Sequence, residues 1–130
     1  MSASITSSML NTGSAASSRI KPPGWPAGRG DDDNVARGHL LARMLGGSGS
    51  RRSNLVTITQ DPVNSPIMRD LEQQIYDAVK GGQTVQYTAT AVYHGDSAIP
   101  IGIRMQAHGN GGFRLNEYIS NPAGMFGFDD

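Results

Sequence analysis

Three histidines stand in this chain, His39, His94 and His108, and there is no cysteine. An imidazole is the side chain best suited to accept a proton near neutral pH, so each is a candidate general base. His94 and His108 sit beside the glycines of two turns and read as surface residues. His39 follows Arg37-Gly38 at the end of a short strand-forming run. A structural histidine and a general base are the two readings open for it. Asn64 lies just before a helix that opens at Pro66. Proline suits the first helical position, which makes Ser65 the capping residue and leaves Asn64 free. An amide oxygen is a hard ligand suited to Mg²⁺, an ion that keeps several waters and accepts few protein ligands. Glu72 stands two helical turns on and faces roughly the same side as Asn64, as a solvated acid or as part of the same site. The lack of cysteine excludes disulfides, thiolate zinc sites and a cysteine nucleophile.

These residues need a frame. Val35 to Leu40 can form a short strand, and Gly46-Gly47-Ser48-Gly49-Ser50 reads as a flexible loop. Asn54 to Gln60 is a strand in which Val56 and Ile58 alternate with Thr57 and Thr59. A turn at Asp61-Pro62 leads to a helix over Pro66 to Lys80, with Ile67, Met68, Leu71, Ile75, Ala78 and Val79 on one face and Gly81-Gly82 as its stop. Gln83 to His94, Ile99 to His108 and Phe113 to Ile119 each alternate with period two, and Gly109-Asn110-Gly111-Gly112 is a hairpin turn between the last two. Strand, loop, strand, helix and an antiparallel meander make an α+β domain.

The chain of 130 residues suits one domain, with 17 Gly and 7 Pro pointing to many turns and short elements. Residues 1–30 are rich in Ser, Ala, Gly and Pro and read as a leader or linker, with the folded domain over 31–130; the lone Trp25 is expected to pack back on it. No apolar run is long enough to span a membrane, so no insertion is expected, and Met1 to Ser18 lacks the basic and apolar regions of a signal peptide. The formal net charge is zero, which gives no long-range attraction for nucleic acid. The average hides an asymmetry. From Asn34 to Gln60 the charged residues are Arg37, Arg43, Arg51 and Arg52 with no acid among them, while Asp31, Asp32, Asp33, Asp129 and Asp130 lie outside that stretch. Arg43, Arg51 and Arg52 are therefore candidates to track a phosphate backbone, or members of a solvated loop.

Arg37-Gly38-His39-Leu40-Leu41-Ala42, Leu45-Gly46-Gly47, Asn54-Leu55-Val56, Asn64, Met68 and Glu72 together resemble the DNA/RNA non-specific endonuclease family over roughly residues 35–105. That resemblance implies a ββα-metal (His-Me finger) core with an antiparallel sheet meander. It implies that His39 deprotonates water for in-line attack on a phosphodiester, that Asn64 holds one Mg²⁺ (or Mn²⁺), and that Glu72 orients water beside the metal. Arg37 becomes a phosphate contact in the catalytic set or a brace pointing inward, and Asn54 a brace for the loop that follows His39. Where the family has an Asp before its Arg-Gly-His, this chain has Ala36; Asp33 is the nearest acid before it.

The resemblance implies sequence-independent cleavage of DNA, with RNA second. A compact nuclease behind a Ser/Gly/Pro-rich leader suggests a toxin domain of a larger bacterial effector, secreted or delivered into a target-cell cytoplasm and held in check by a cognate immunity protein. The competing reading is a non-enzymatic module on the same fold that binds nucleic acid or protein, favoured by Ala36. A metal-dependent phosphoesterase acting on small molecules is the third, opposed by the lack of a glycine-rich phosphate loop before a helix.

Overall fold

The computed structural model describes residues 1–26 and 34–126. The acids Asp31, Asp32, Asp33, Asp129 and Asp130 lie outside those residues. Val35–His39 (β2) and Leu55–Thr59 (β3) pair antiparallel as a two-stranded ribbon, with His39 opposite Leu55. Helix α1 (Arg69–Lys80) follows, so the order β2, β3, α1 is a ββα unit. A four-stranded antiparallel sheet in the order β1-β4-β5-β6 is built from Ser2–Ile5, Val85–Val92, Gly102–Gly109 and Arg114–Ser120. Pro122–Phe126 (α2) closes the described chain.

The alternation expected of the meander is present. Val85, Tyr87 and Ala89 on β4 and Ile103, Met105 and Ala107 on β5 face inward, where Ile75 and Val79 of α1 meet them, both fully buried. Burying one such aliphatic side chain contributes about 1.5–3 kcal/mol, so these contacts fix the helix on the sheet. Val56 and Ile58 of β3 belong to the same core. It therefore spans both sheets and locks the ribbon against α1.

Three expectations change. The strand β3 does not alternate, for all five of its residues are buried. Its second face is covered too: Thr57 Oγ1 donates to the Pro23 carbonyl at 3.1 Å, and Thr59 N and Oγ1 donate to Asn121 Oδ1 at 2.8 and 3.0 Å. Helix α1 is regular only from Arg69, and the stretch Gln60–Met68 is an irregular helical turn broken at Asp61 (φ −126°, ψ 120°) and Ser65 (φ −146°, ψ 127°). Each of those two residues precedes a proline, whose ring pushes the preceding backbone out of the helical region. Ile67 lies in that stretch and is 39% exposed, off the apolar face assigned to it.

The third change is the largest. Residues 1–26, expected to be leader, are part of the fold. β1 pairs with β4 from Ser2 opposite Thr88 to Ile5 opposite Val85, and Ile5 is fully buried. The following segment is laced to the loop after His39: Asn11 N donates to Met44 O, Gly13 N to Arg43 O, Ser14 N to Gly47 O and Ser17 N to Gly49 O. The glycines of that loop are there for close approach. A Cβ at Gly47 would stand 1.7 Å from Leu41 O, and one at Gly49 would stand 1.9 Å from Ala15 O. Close backbone packing needs residues without a side chain just as a floppy loop does, and composition does not separate the two. Trp25 packs back as expected, with Arg37 Cζ 4.1 Å from its ring centroid.

Candidate active site

His39 is the last residue of β2, and the strand ends there for local reasons. Gly38 packs against Ile58 so closely that a Cβ would stand 2.3 Å from its Cδ1 atom, which accounts for glycine between Arg37 and His39. After His39 the chain turns under the control of Asn54. This side chain is 1% exposed; its Oδ1 accepts from Leu41 N at 2.8 Å, and its Nδ2 donates to Leu41 O and Ser48 O, both at 3.0 Å. Asn54 thus ties Leu41 to Ser48 across the loop. The imidazole of His39 is half-buried, and its Nε2 lies 2.8 Å from the carbonyl oxygen of Ser14. A carbonyl only accepts, so Nε2 carries the hydrogen of this bond, and the ring nitrogen left to act as a base is Nδ1.

An open cleft of about 590 Å³ brings His39 together with Asn64 and Glu72. Arg43, Arg69, Gln60 and Asn11 also line it. The irregular turn before α1 places Asn64, whose Nδ2 donates to Gln60 Oε1 at 3.1 Å. With its nitrogen so engaged, Asn64 presents the carbonyl Oδ1 to other partners. Glu72 is on the first turns of α1 and 9% exposed. Burial pushes its carboxyl up to about 8, against the opposing pull of the Arg69 guanidinium. Behind it, Tyr87 is held above its ordinary range by burial and then by Glu72, and its hydroxyl donates to Leu40 O at 2.6 Å. The residue after His39 is therefore tied to the floor beneath Glu72.

The other assigned residues lie elsewhere. Arg37 is a brace: Nε donates to Ile20 O at 2.6 Å, Nη2 donates to Ser18 O at 3.3 Å, and the guanidinium stacks on Trp25. Its donors are engaged by the N-terminal segment, the inward-pointing one of its two readings, and Arg37 does not line the cleft. Arg43 does line the cleft, whereas Arg51 and Arg52 are exposed and do not. His94 and His108 are exposed as expected. Ala36 packs against the apolar core, opposite Ile58, so having Ala there removes no group from the cleft. Asp33, the other acid considered there, is outside the described residues. Sequence reasoning missed Arg69, Gln60, Asn11 and the Ser14 carbonyl. Arg69 was findable, three residues before Glu72 and so on the same helical face. The Ser14 carbonyl was not, because no side chain marks it.

Residues 1–111 match the sequence model of the DNA/RNA non-specific endonucleases. The chain belongs to this family. As a DNA/RNA non-specific endonuclease family member it has a ββα-metal core, here β2, β3 and α1, carried on the antiparallel meander. The match begins at residue 1, so it includes the segment that holds His39 and Arg37. Among solved structures, NucA from Streptococcus agalactiae with a magnesium ion bound superposes with a TM-score of 0.78, at 22% identity, over 92% of this chain and 65% of that one. The same nuclease with no metal bound gives 0.76 at 23% identity, over 92% and 63%. The Sda1 nuclease with a bound zinc ion gives 0.62 at 28% identity, over 73% and 41%. This endonuclease family member thus spans less than two thirds of the length of either neighbour. No curated protein matches it.

The chemistry of the cleft fits a hydrated divalent ion. Beside the His39 imidazole and the Arg43 and Arg69 guanidinium groups, the cleft offers the amide oxygen of Asn64 and the buried carboxyl of Glu72, and oxygen atoms are the hard donors such an ion takes. Among the described residues no cluster of three His, Cys, Asp or Glu side chains could enclose a metal. A cation held by few protein atoms and largely by water matches one amide oxygen with a carboxyl beside it, and a closed four-ligand site does not.

Proposed function

We propose that this chain is a metal-dependent endonuclease that hydrolyses phosphodiester bonds of DNA, and of RNA second, without regard to sequence. The observation that carries the proposal is the His39 imidazole, with its Nε2 proton committed to the Ser14 carbonyl, in one cleft with Asn64 and Glu72. Nδ1 takes a proton from water as the water oxygen attacks phosphorus, and the P–O bond opposite the attack breaks. Asn64 Oδ1 would hold Mg²⁺ (or Mn²⁺), which supplies charge stabilisation to the phosphoryl oxygens and the leaving oxygen. Glu72 orients water toward that position, and Arg43 and Arg69 seat the phosphate from the rim. A reaction at phosphate needs no base contact, which supports cleavage independent of sequence.

The biological setting we propose is a toxin domain delivered into a target cell and restrained by a cognate inhibitor. It rests on the hazard such an activity poses to the cell that makes it.

The experiment is supercoiled-plasmid cleavage with Mg²⁺ and with EDTA, beside His39→Ala. Cleavage that needs metal, and that falls at least a hundredfold in a variant with unchanged melting, is the expected result. Intact plasmid and RNA in the presence of metal-loaded, folded protein would leave a binding module in its place.

A further inference from the structure

The four-stranded sheet has a second face, turned away from α1, and among the described residues no acidic side chain of its strands stands on it. Alternation places Gln86, Thr88 and Thr90 of β4 there, and the register aligns them with His108, Gln106 and Arg104 of β5. Those in turn lie beside Arg114, Asn116 and Tyr118 of β6, while Ser4 and Ser2 of β1 complete the first two rows. These side chains are exposed or half-buried; all but Thr90, Arg104 and Tyr118 line a hollow of about 760 Å³, and those three extend the same face beyond it. The whole chain is formally neutral. Glu117, the acid on β6, is opposite Met105 and so belongs to the inward row. Among the described residues the outer face therefore carries Arg104 and Arg114 with no acid in the neighbouring strand positions of that face.

We propose that this face is a second nucleic-acid seat that holds the phosphate backbone of a segment other than the one being cut. This inference rests on the nuclease reading of the cleft. Arg, Ser, Thr, Asn, Gln and Tyr are the side chains that donate to phosphate and sugar oxygens. The one large aromatic, Tyr118, is stacked under Arg104, whose Cζ lies 5.4 Å from the ring centroid. The face thus lacks the apolar centre around which protein interfaces form. Arg104 and Arg114 are four residue steps apart along neighbouring strands, about 13 Å, far enough to engage separate phosphates. Helix α1 lies on the opposite side of the sheet and carries Glu72, so polymer on the outer face is not the strand in the cleft. A long substrate can occupy both places and gains from the raised local concentration; a short oligonucleotide cannot.

The test uses the full chain and the double variant Arg104→Ala/Arg114→Ala. Binding to a long DNA duplex is followed by fluorescence anisotropy in EDTA across a salt series, and cleavage of plasmid and of a short oligonucleotide is followed with Mg²⁺. The slope of log affinity against log salt should fall by about 1.8, that is, about 0.9 for each of two phosphates. KM for plasmid should rise several-fold while kcat/KM for the oligonucleotide and the melting temperature stay unchanged. Arg104→Lys/Arg114→Lys should keep the slope. An unchanged slope overturns the seat, and so does an equal loss on plasmid and oligonucleotide, which would assign both arginines to the cleft. A reduced slope in a protein that cuts neither substrate would leave the seat standing and remove the nuclease reading.

Discussion

A carbonyl oxygen can only accept a hydrogen bond, and that decides which nitrogen of His39 is free to act. The Ser14 carbonyl takes the Nε2 proton, so the basic atom is Nδ1. Glu72 poses the opposite problem, a carboxyl lifted to about 8 by burial. A folded-state value above the unfolded one means that the native protein binds the extra proton more tightly. The stability this contributes is complete below the unfolded value of about 4.5 and is lost as pH rises through about 8. In EDTA, the unfolding free energy from urea titrations should therefore fall between pH 5 and pH 9 by more in the native sequence than in Glu72→Gln, with a difference on the order of a few kcal/mol. Equal pH slopes in the two proteins would show that Glu72 is solvated in the metal-free state. Arg69 lines the same cleft, and the role proposed for it is to seat the phosphate. Arg69→Ala should raise KM roughly tenfold and change kcat little; a large loss in kcat with KM intact would place it on the reacting phosphate instead.

Among the elements, the N-terminal segment carries the largest unexpected role. Gly13 packs where a Cβ would stand 2.4 Å from Gly47 O and 2.5 Å from Arg43 O, next to the residue whose carbonyl orients His39. Gly13→Val should leave the core folded but shift Ser14, lowering kcat by at least tenfold, whereas a true linker would tolerate it without effect. Ser and Gly in residues 1–20 hid this role because polar, small residues serve tight backbone packing and loose connectors alike. Their pattern is informative only once the partner backbone of residues 41–49 is known. Periodicity, by contrast, made the meander and α1 legible: alternate burial of Val85, Tyr87, Ala89, Ile103 and Met105 is a local property of the sequence. The set His39, Asn64 and Glu72 was legible only through the family resemblance, since each residue taken singly also had a structural reading; the fold lines one cleft with all three. Arg37 was not legible, because its two roles differ only in whether the Ile20 carbonyl and the Trp25 ring are within reach.

At the scale of the whole molecule, the proposed chemistry depends on holding two sheets together. The ribbon supplies His39, and α1, packed on the four-stranded sheet, supplies Glu72. Their relative position is set by the shared core and by one buried amide. Asn121, just past β6, is fully buried and uses both ends: Oδ1 accepts from Thr59 N and Oγ1, while Nδ2 donates to Thr57 O at 3.2 Å and Pro100 O at 2.7 Å. Two of those partners are backbone groups of β3, so Asn121 joins the outer edge of the ribbon to the end of the larger sheet. Asn121→Ala would leave several of them unpaired in a dry place, which should lower stability by about 2–4 kcal/mol. If the continuous core makes the protein one cooperative unit, the variant should still melt in a single transition at lower temperature, and residual activity well below that temperature should stay close to normal. Two separate transitions would mean that the ribbon opens by itself. The distance between His39 and Glu72 would then depend on Asn121 rather than on the core, and cleavage should fall at temperatures where the four-stranded sheet is still folded.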